Sequence, residues 1–234
     1  MADYTIIDAP QRSEEWYRAR AGRLTGSNAT AVLTKPKDKS GPSKVRQKEQ
    51  MELALERITG KPRRDAYQTQ EIKDGIEREP LARAAYQQVT DEVVVTTGFL
   101  QHNTLMTGCS LDGHIERNGR IIGAVSFKCP AQTTHWETLE KMVLCEEQKV
   151  PLIEAIPEAY LRQIFHEQLI LGPDCQWHDY VSFHPDFPEG LQLAIIRVPR
   201  DEDVQTYYRI ELLKFLSEVD QLEARVRSRG VKRS

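Results

Sequence analysis

The stretch GCSLDGHIERNGRIIGAVSFKCP, residues 108–130, decides the fold of this chain. Two short β-rich runs flank Asn118-Gly119, a pair that is typical of a tight hairpin turn. Residues 121–127 form an apolar run apart from Ser126, and Lys128 lies on the same face as Ser126 because side chains alternate along a strand. We therefore predict a β-hairpin that ends in a lysine on a mostly buried strand.

Two carboxylates are candidates to accompany this lysine. A lysine in an apolar strand either reaches solvent or has an anionic partner, and Asp112 is one hairpin away, although an Asp-Gly pair is most often only a turn. Glu79 lies where Pro80 should interrupt a helix. Its alternative role is an ion pair with Arg83, one helical turn later, on a solvent-exposed face.

These residue types indicate a site for phosphodiester hydrolysis that lacks one part. A hard cation such as Mg²⁺ binds carboxylate oxygens and water, and a nearby lysine can stabilise developing charge or orient the attacking water. Asp112, Glu79 and Lys128 supply these groups. A second strand acid is expected two residues before the lysine, where the neutral Ser126 stands, so the residues alone leave the site incomplete.

The rest of the chain predicts helices and strands around this hairpin. Helices are expected over residues 44–59, 66–90 with a break at Pro80, 132–144, 157–171 and about 203–229. Strands are expected within residues 92–102, 106–116, 120–128, 177–185 and 191–199. This order predicts an α/β fold with a central mixed β-sheet flanked by helices, in a single domain over 1–234 with its core at about 13–200.

Charge is informative only where it is clustered. The chain of 234 residues has a formal net charge of −3 and is 39% hydrophobic, which does not by itself indicate a nucleic-acid-binding protein. An acidic exterior can nevertheless surround a basic channel. The basic residues crowd three segments: Lys35, Lys37, Lys39, Lys44, Arg46 and Lys48; Lys61, Arg63 and Arg64; and Arg225, Arg227, Arg229, Lys232 and Arg233.

Several other classes are not supported. The four cysteines have no CxxC spacing, which argues against a zinc knuckle or a disulfide framework. HEQLI, residues 166–170, begins like a zinc-protease motif, but Ile170 replaces the second histidine. We find no nucleophile elbow, phosphate-binding loop or dinucleotide fingerprint. With no signal peptide and no apolar run of membrane length, we expect a soluble protein with reduced thiols in a cytoplasm and no membrane partner.

Six segments in order resemble one family, the YqaJ-like viral recombinase nucleases that include phage lambda exonuclease. They are EEWYRARAGRLTGSNATAVL (14–33), GIEREPLARAAYQ (75–87), TGFLQH (97–102), GCSLDGHIE (108–116), VSFKCP (125–130) and YLRQIFHEQL (160–169). The resemblance spans about residues 13–183. It implies a restriction-endonuclease-like PD-(D/E)xK core and a metal-dependent exonuclease that degrades one strand of duplex DNA from 5′ to 3′.

The resemblance also implies partners and cofactors. These are Mg²⁺, with Mn²⁺ as an alternative and two ions in an intact site, and duplex DNA with 5′-phosphorylated ends. A single-strand annealing protein, a ring-shaped homotrimer and a phage protein in a bacterial host cytoplasm are implied as well.

By position, the resemblance assigns roles to five residues of the hydrolytic site. Glu79, Asp112 and the residue at position 126 would hold the metal, Lys128 would be the catalytic lysine, and Gln163 would lie beside them on the helix after the sheet. The family has Glu-x-Lys where this chain has Ser126-x-Lys128, so we expect little or no cleavage, because losing a metal carboxylate costs orders of magnitude in rate.

The same resemblance implies a pocket for the 5′-phosphate. Arg20 matches the arginine that holds this phosphate, and Thr25 and Ser27 would line the pocket. The chemistry agrees, since a guanidinium forms paired hydrogen bonds to phosphate and a helix N-terminus offers free N–H groups to an anion.

The serine leaves three explanations open. It is an engineered change that disables cleavage, a natural change in a site that stays active with Asp112, Glu79 and a backbone carbonyl as ligands, or a mark of a naturally inactive relative. The corresponding functions are a nuclease with a damaged metal site and a non-catalytic module that binds DNA ends. A third possibility on the same core is a restriction-type endonuclease, which would cut closed circular DNA.

Overall fold

The computed structural model describes residues 3–36, 43–64 and 69–229. The helices within these ranges are α1 Glu14–Arg20, α2 Thr30–Leu33, α3 Lys44–Thr59, α4 Gln70–Thr90, α5 Gln132–Gln148, α6 Glu158–Leu171 and α7 Glu202–Arg227. The strands are β1 Tyr4–Ile7, β2 Leu24–Thr25, β3 Phe99–His102, β4 Thr107–Ser110, β5 Gly113–Arg117, β6 Arg120–Lys128, β7 Trp177–Phe183 and β8 Leu193–Pro199. Lys37, Lys39, Lys232 and Arg233 of the basic segments lie outside the described residues.

The strands form two mixed sheets. One has the order β1-β3-β4-β2, with β2 parallel to β4 and the other neighbours antiparallel. The other has the order β5-β6-β7-β8, with β6 parallel to β7 between two antiparallel pairs. The α/β class with mixed sheets and flanking helices is confirmed. Asp112 lies where the chain passes from β4 in the first sheet to β5 in the second.

The central hairpin is observed as the sequence predicts. Arg117 pairs with Arg120 across a turn in which Asn118 has a φ of 53° and Gly119 a φ of 70°. Two positive φ angles in succession match the right-handed twist of the flanking strands. The strand predicted over residues 120–128 is β6, and it presents Lys128 at its end.

Helix ends follow local sequence signals. Ser13 caps α1 by accepting a hydrogen bond from the Trp16 backbone N–H at 3.2 Å. Gly60 ends α3 with a φ of 66°, a left-handed conformation that glycine adopts without strain. The helix expected over about residues 203–229 is observed as α7.

The break expected at Pro80 is wrong. α4 is continuous through Pro80, and Glu79 lies within it. Pro80 removes one hydrogen bond to the carbonyl of Ile76, but both residues are exposed and line a solvent-open cleft, where water can satisfy that carbonyl. Glu79 is therefore carried on a regular helix.

The strand expected over residues 92–102 is confirmed only in part. Pairing begins at Phe99, and before it there is a single bridge between Val95 and His114. Val93 is exposed, so its β-branched side chain has no sheet face to cover it. The short strands β1 and β2, which were not predicted, are completed by distant partners in the first sheet.

Helix α6 connects the buried regions of the molecule. Its side chains join apolar clusters with α7, with the first sheet and with β7 and β8. The four cysteines are buried and unbonded. Among the helices described, none combines the length and apolar content that crossing a membrane would require. The central position of α6 brings its polar residues up to the end of β6.

Candidate active site

Asp112 and Lys128 form the centre of the site. Asp112 Oδ2 accepts hydrogen bonds from the Phe127 backbone N–H at 3.0 Å and from Lys128 Nζ at 3.3 Å. The anionic partner expected for the strand lysine is therefore present. Burial lowers the pKa of Lys128, but the negative charges of Asp112 and Glu167 outweigh it and raise the pKa overall, so the lysine stays charged.

Glu79 reaches the same place from α4. Its Oε1 accepts a hydrogen bond from Arg83 Nη2 at 3.0 Å, and the same nitrogen donates to the Asp112 backbone carbonyl at 3.2 Å. Burial, and then the Asp112 charge, raise the pKa of Glu79, while Arg83 lowers it. The ion pair with Arg83 thus exists, but it ties Glu79 to the site instead of to a solvated face.

Ser126 is buried two residues before Lys128. Its Oγ lies 2.9 Å from Nε2 of His178, which is buried on β7. Burial lowers the pKa of His178 to about 3, so both partners of this contact are neutral. The serine supplies a hydroxyl where the family pattern has a carboxylate.

Gln163 and Glu167 come from one face of α6. Gln163 Nε2 donates to Glu167 Oε1 at 2.7 Å, and Glu167 Oε2 lies 3.5 Å from His178 Nε2. Glu167 is almost completely buried, and burial raises its pKa to about 8. The sequence reasoning missed Glu167, although its spacing of four residues from Gln163 was a usable signal.

The residues expected to hold a phosphate lie together. Arg20 Nη2 is 3.5 Å from Thr25 Oγ1, which is 3.2 Å from Ser27 Oγ. The Arg20 guanidinium also stacks over the Trp16 ring at 3.9 Å. Thr25 makes no capping hydrogen bond to the short helical turn Gly26–Asn28 that follows it, so its hydroxyl faces Arg20 and Ser27 instead.

These residues line a pocket of about 260 Å³, here called the Arg20 pocket. Its walls carry four arginines and one glutamate: Arg20, Arg23, Arg63, Arg64 and Glu56. Arg63 and Arg64 also pair with Glu49 and Glu14, so an anion in the pocket would compete with these carboxylates. Guanidinium groups suit phosphate in particular.

Gly26 separates the Arg20 pocket from the carboxylates. A methyl group added at Gly26 would lie 2.9 Å from Glu167 Oε1 and 3.3 Å from Gln163 Cγ. Thr25 and Ser27 of the pocket flank this glycine, so the chain that forms the pocket lies against the face of α6 that carries Glu167. A second, wider cleft of about 540 Å³ opens beside Glu79, Arg83 and Asp112.

Many cations of the basic segments are already paired within the chain. The pairs include Arg46–Glu218, Lys48–Glu52, Arg63–Glu49 and Arg227–Glu223. The exposed pairs, such as Arg227–Glu223, are weak and can be exchanged for other anions, whereas Arg46 and Glu49 are largely buried in theirs. The argument for a nucleic-acid site therefore rests on the Arg20 pocket more than on these segments.

The carboxylates have the chemistry that Mg²⁺ or Mn²⁺ prefers. Within residues 3–36, 43–64 and 69–229, no three His, Cys, Asp or Glu side chains lie close enough together to bind one metal ion as they stand. Lys128 and Arg83 engage Asp112 and Glu79, whereas Glu167 Oε2 is buried with no hydrogen-bond partner. This orphaned oxygen fits a cation site, and an ion would have to replace the lysine and arginine contacts.

Comparison with known proteins agrees with this geometry. The model of the YqaJ-like viral recombinase domain matches residues 15–172. The structure is similar to an alkaline exonuclease (LHK-Exo) from Laribacter hongkongensis, with a TM-score of 0.74 and 28% identity over 92% of this chain and 97% of that chain. The same values hold for LHK-Exo in complex with dAMP.

A phage-related exonuclease from Haemophilus somnus 129PT shares the fold, with a TM-score of 0.64 and 12% identity over 87% of this chain and 96% of that chain. No curated protein sequence is significantly similar to the chain. The family model matches well over half of the sequence, in the region that carries the carboxylates, Lys128 and the Arg20 pocket. The chain belongs to the YqaJ-like viral recombinase domain family.

Proposed function

We propose that this chain is a metal-dependent 5′-to-3′ exonuclease that digests one strand of duplex DNA from 5′-phosphorylated ends in phage-type homologous recombination. The observation that carries the proposal is that Gly26, between Thr25 and Ser27 of the Arg20 pocket, lies against Gln163 and Glu167. A terminal phosphate held by Arg20 would lie on the side of Gly26 opposite Glu167, on which the charges of Asp112 and Lys128 act. The similarity to LHK-Exo, a protein named an alkaline exonuclease, supports the same class.

The residues of the two parts of the site would have different roles in the reaction. Arg20, Thr25 and Ser27 would hold the 5′-phosphate and so set the position of the end. Lys128, charged because of its anionic neighbours, would stabilise developing negative charge or orient the attacking water. Bound Mg²⁺ or Mn²⁺, two ions by family resemblance, would polarise the phosphoryl group and lower the pKa of a water.

A second candidate is a non-catalytic module that binds DNA ends. Ser126 favours it, because a hydroxyl bonded to a neutral histidine is a poor substitute for a carboxylate ligand. Among the residues that the family pattern names as metal ligands, only Asp112 and Glu79 are carboxylates in this chain. We therefore still predict weak or absent cleavage.

We also propose the assembly that the resemblance implies. The chain would be a single exonuclease domain over residues 1–234 that works as a homotrimer beside a single-strand annealing protein, in the cytoplasm of a bacterial host. Exposed apolar residues on α3 and α7, including Met51, Leu55 and Leu213, offer surface for a subunit contact. Light scattering during gel filtration gives the subunit number directly.

The function is tested by incubating the chain with linear duplex DNA and Mg²⁺. The substrates are 5′-phosphorylated, 5′-hydroxylated and closed circular duplexes, and a Ser126→Glu variant is run beside the wild type. Release of mononucleotides from the phosphorylated linear DNA, abolished by EDTA, is expected of Ser126→Glu, and little or none is expected of the wild type. Cutting of circles would indicate an endonuclease.

The pair of proteins separates the candidates. Digestion only by Ser126→Glu would show that the serine disables an exonuclease. Digestion by the wild type would show that the metal is held without an acid at position 126. Binding of DNA ends by both proteins without digestion would favour the end-binding module.

A further inference from the structure

Glu167 is an acid in an unusual setting. It is 1% exposed on α6, and a buried carboxylate is unfavourable unless its oxygens are hydrogen-bonded or meet a cation. Gln163 satisfies Oε1 at 2.7 Å, whereas Oε2 lies beside the Ser126 hydroxyl and 3.5 Å from His178 Nε2 without a well-formed hydrogen bond to either. One oxygen is therefore held in place and the other is left available to a ligand.

The nearest basic group does not neutralise this oxygen. His178 Nε2 lies 3.5 Å from Glu167 Oε2 and 2.9 Å from Ser126 Oγ. His178 is completely buried, and the shorter contact of its Nε2 is with the Ser126 hydroxyl, so it forms no hydrogen bond with Glu167 Oε2. The chain thus brings a carboxylate into its interior without a cationic residue bonded to it.

The Glu167 carboxylate lies beside position 126, where the family has a glutamate and this chain has a serine. Ser126 Oγ and Glu167 Oε2 lie against the same nitrogen of His178, so the Glu167 side chain ends beside the Ser126 hydroxyl. The charges of Asp112 and Lys128 both act on Glu167. Gly26 leaves it room, because a methyl group there would lie 2.9 Å from Glu167 Oε1.

We propose that Glu167 supplies from helix α6 the carboxylate that Ser126 lacks on β6, so that Asp112, Glu79 and Glu167 are the protein ligands of the divalent cation. Gln163 is then a positioning residue that holds Glu167. The inference rests on the proposed function for its catalytic consequence, and it reverses the expectation of impaired cleavage. Ser126 is the small neutral residue that leaves space for an acid arriving from the helix.

The test measures metal binding as well as cleavage. Mn²⁺ binding by calorimetry and digestion of 5′-phosphorylated duplex are compared for the wild type, Glu167→Gln and the double variant Ser126→Glu/Glu167→Ser. Glu158→Gln is the matched control, since Glu158 is an exposed glutamate on the same helix. Glu167→Gln keeps the shape of the side chain and removes a buried charge, and circular dichroism verifies that each variant is folded.

Glu167→Gln should weaken Mn²⁺ binding by roughly 10- to 100-fold or more and lower the digestion rate by at least as much. The double variant should recover both properties, because it moves the carboxylate to the strand. Glu158→Gln should match the wild type.

Failure of the inference and failure of the proposed function give different results. If the wild type digests DNA and Glu167→Gln binds Mn²⁺ and digests equally well, the assignment of Glu167 is overturned and the exonuclease stands. If the wild type digests nothing but loses Mn²⁺ on Glu167→Gln, the metal site stands and the exonuclease is overturned. A wild type that binds no Mn²⁺, or a double variant no better than Glu167→Gln, overturns the inference.

Discussion

Gln163 Nε2 donates a 2.7 Å hydrogen bond to Glu167 Oε1 across one turn of α6. The bond joins a residue that the family pattern names to one that it does not. Because an amide has no charge, it orients the carboxylate without neutralising it. The pair therefore places a carboxyl group beside Ser126 and Lys128, where the proposed site would use it as a metal ligand.

Lys128→Ala should abolish most of the cleavage while the fold is retained. Lys128 is the cation bonded to Asp112, and removing a group that handles charge or protons in the transition state lowers rates by roughly 10²- to 10⁴-fold. The rate of nucleotide release measures the effect. Lys141→Ala, an exposed lysine on α5, is the control, and similar rates for the two variants would contradict the role of Lys128.

Arg20→Ala should remove the preference for 5′-phosphorylated over 5′-hydroxylated ends. Charge-assisted hydrogen bonds of about 1.5–3 kcal/mol would be lost, which corresponds to roughly a tenfold to hundredfold loss of preference. Digestion of both substrates in competition measures this ratio. Arg18→Ala on the exposed side of α1 should keep it, and an unchanged ratio in Arg20→Ala would show that the pocket is misassigned.

Tyr86→Phe should destabilise the protein without changing a contact of Asp112, Glu79 or Glu167. Asp179 is fully buried, with two hydrogen bonds from Arg197 at 2.9 and 2.8 Å and one from Tyr86 at 2.6 Å. Removing the tyrosine hydroxyl leaves a buried acceptor one donor short, which costs about 1–3 kcal/mol. Urea unfolding measures the change.

Tyr207→Phe, at an exposed position on α7, is the matched control for that measurement. Equal free energies of unfolding for the two variants would show that the Tyr86 hydroxyl does not stabilise the buried carboxylate.

Because of His166, the free energy of unfolding of the metal-free protein should decrease as the pH falls below 6.5. Burial lowers its pKa to about 4 from an ordinary value of 6.5, so between these values the unfolded chain binds more protons than the folded one. The stability from neutral His166 is therefore complete above pH 6.5 and is lost as the pH falls towards 4. At pH 5 the loss is about 2 kcal/mol.

The measurement compares the pH dependence of unfolding in the wild type and in His166→Gln, both in EDTA. Glu167 acts in the opposite direction, because its raised pKa of about 8 makes the folded state bind more protons above pH 4.5. Only the difference between the two profiles isolates His166. A difference that is constant from pH 7 to 5 would contradict the prediction.

Local signals decided much of the fold. Asn118-Gly119 accounts for the hairpin, Gly60 for the end of α3 and Ser13 for the start of α1, because each acts through backbone bonds within a few residues. The helix break predicted at Pro80 was wrong for the same reason. The local preference of proline does not show whether the carbonyl that loses its hydrogen bond is exposed to water. β1 and β2 were missed because partners far along the chain complete them.

The resemblance of residues 14–33 to the family supplied the candidate residues of the Arg20 pocket. By itself, the sequence determined the hairpin and the pairing of Lys128 with Asp112. These depend on the alternation of side chains along a strand and on short connections. Only the tertiary structure decided that Glu167 faces Ser126. Helical spacing places Glu167 on the same face as Gln163, but packing of α6 between the sheets and α7 sets where that face points, and such packing depends on contacts between segments far apart in the sequence.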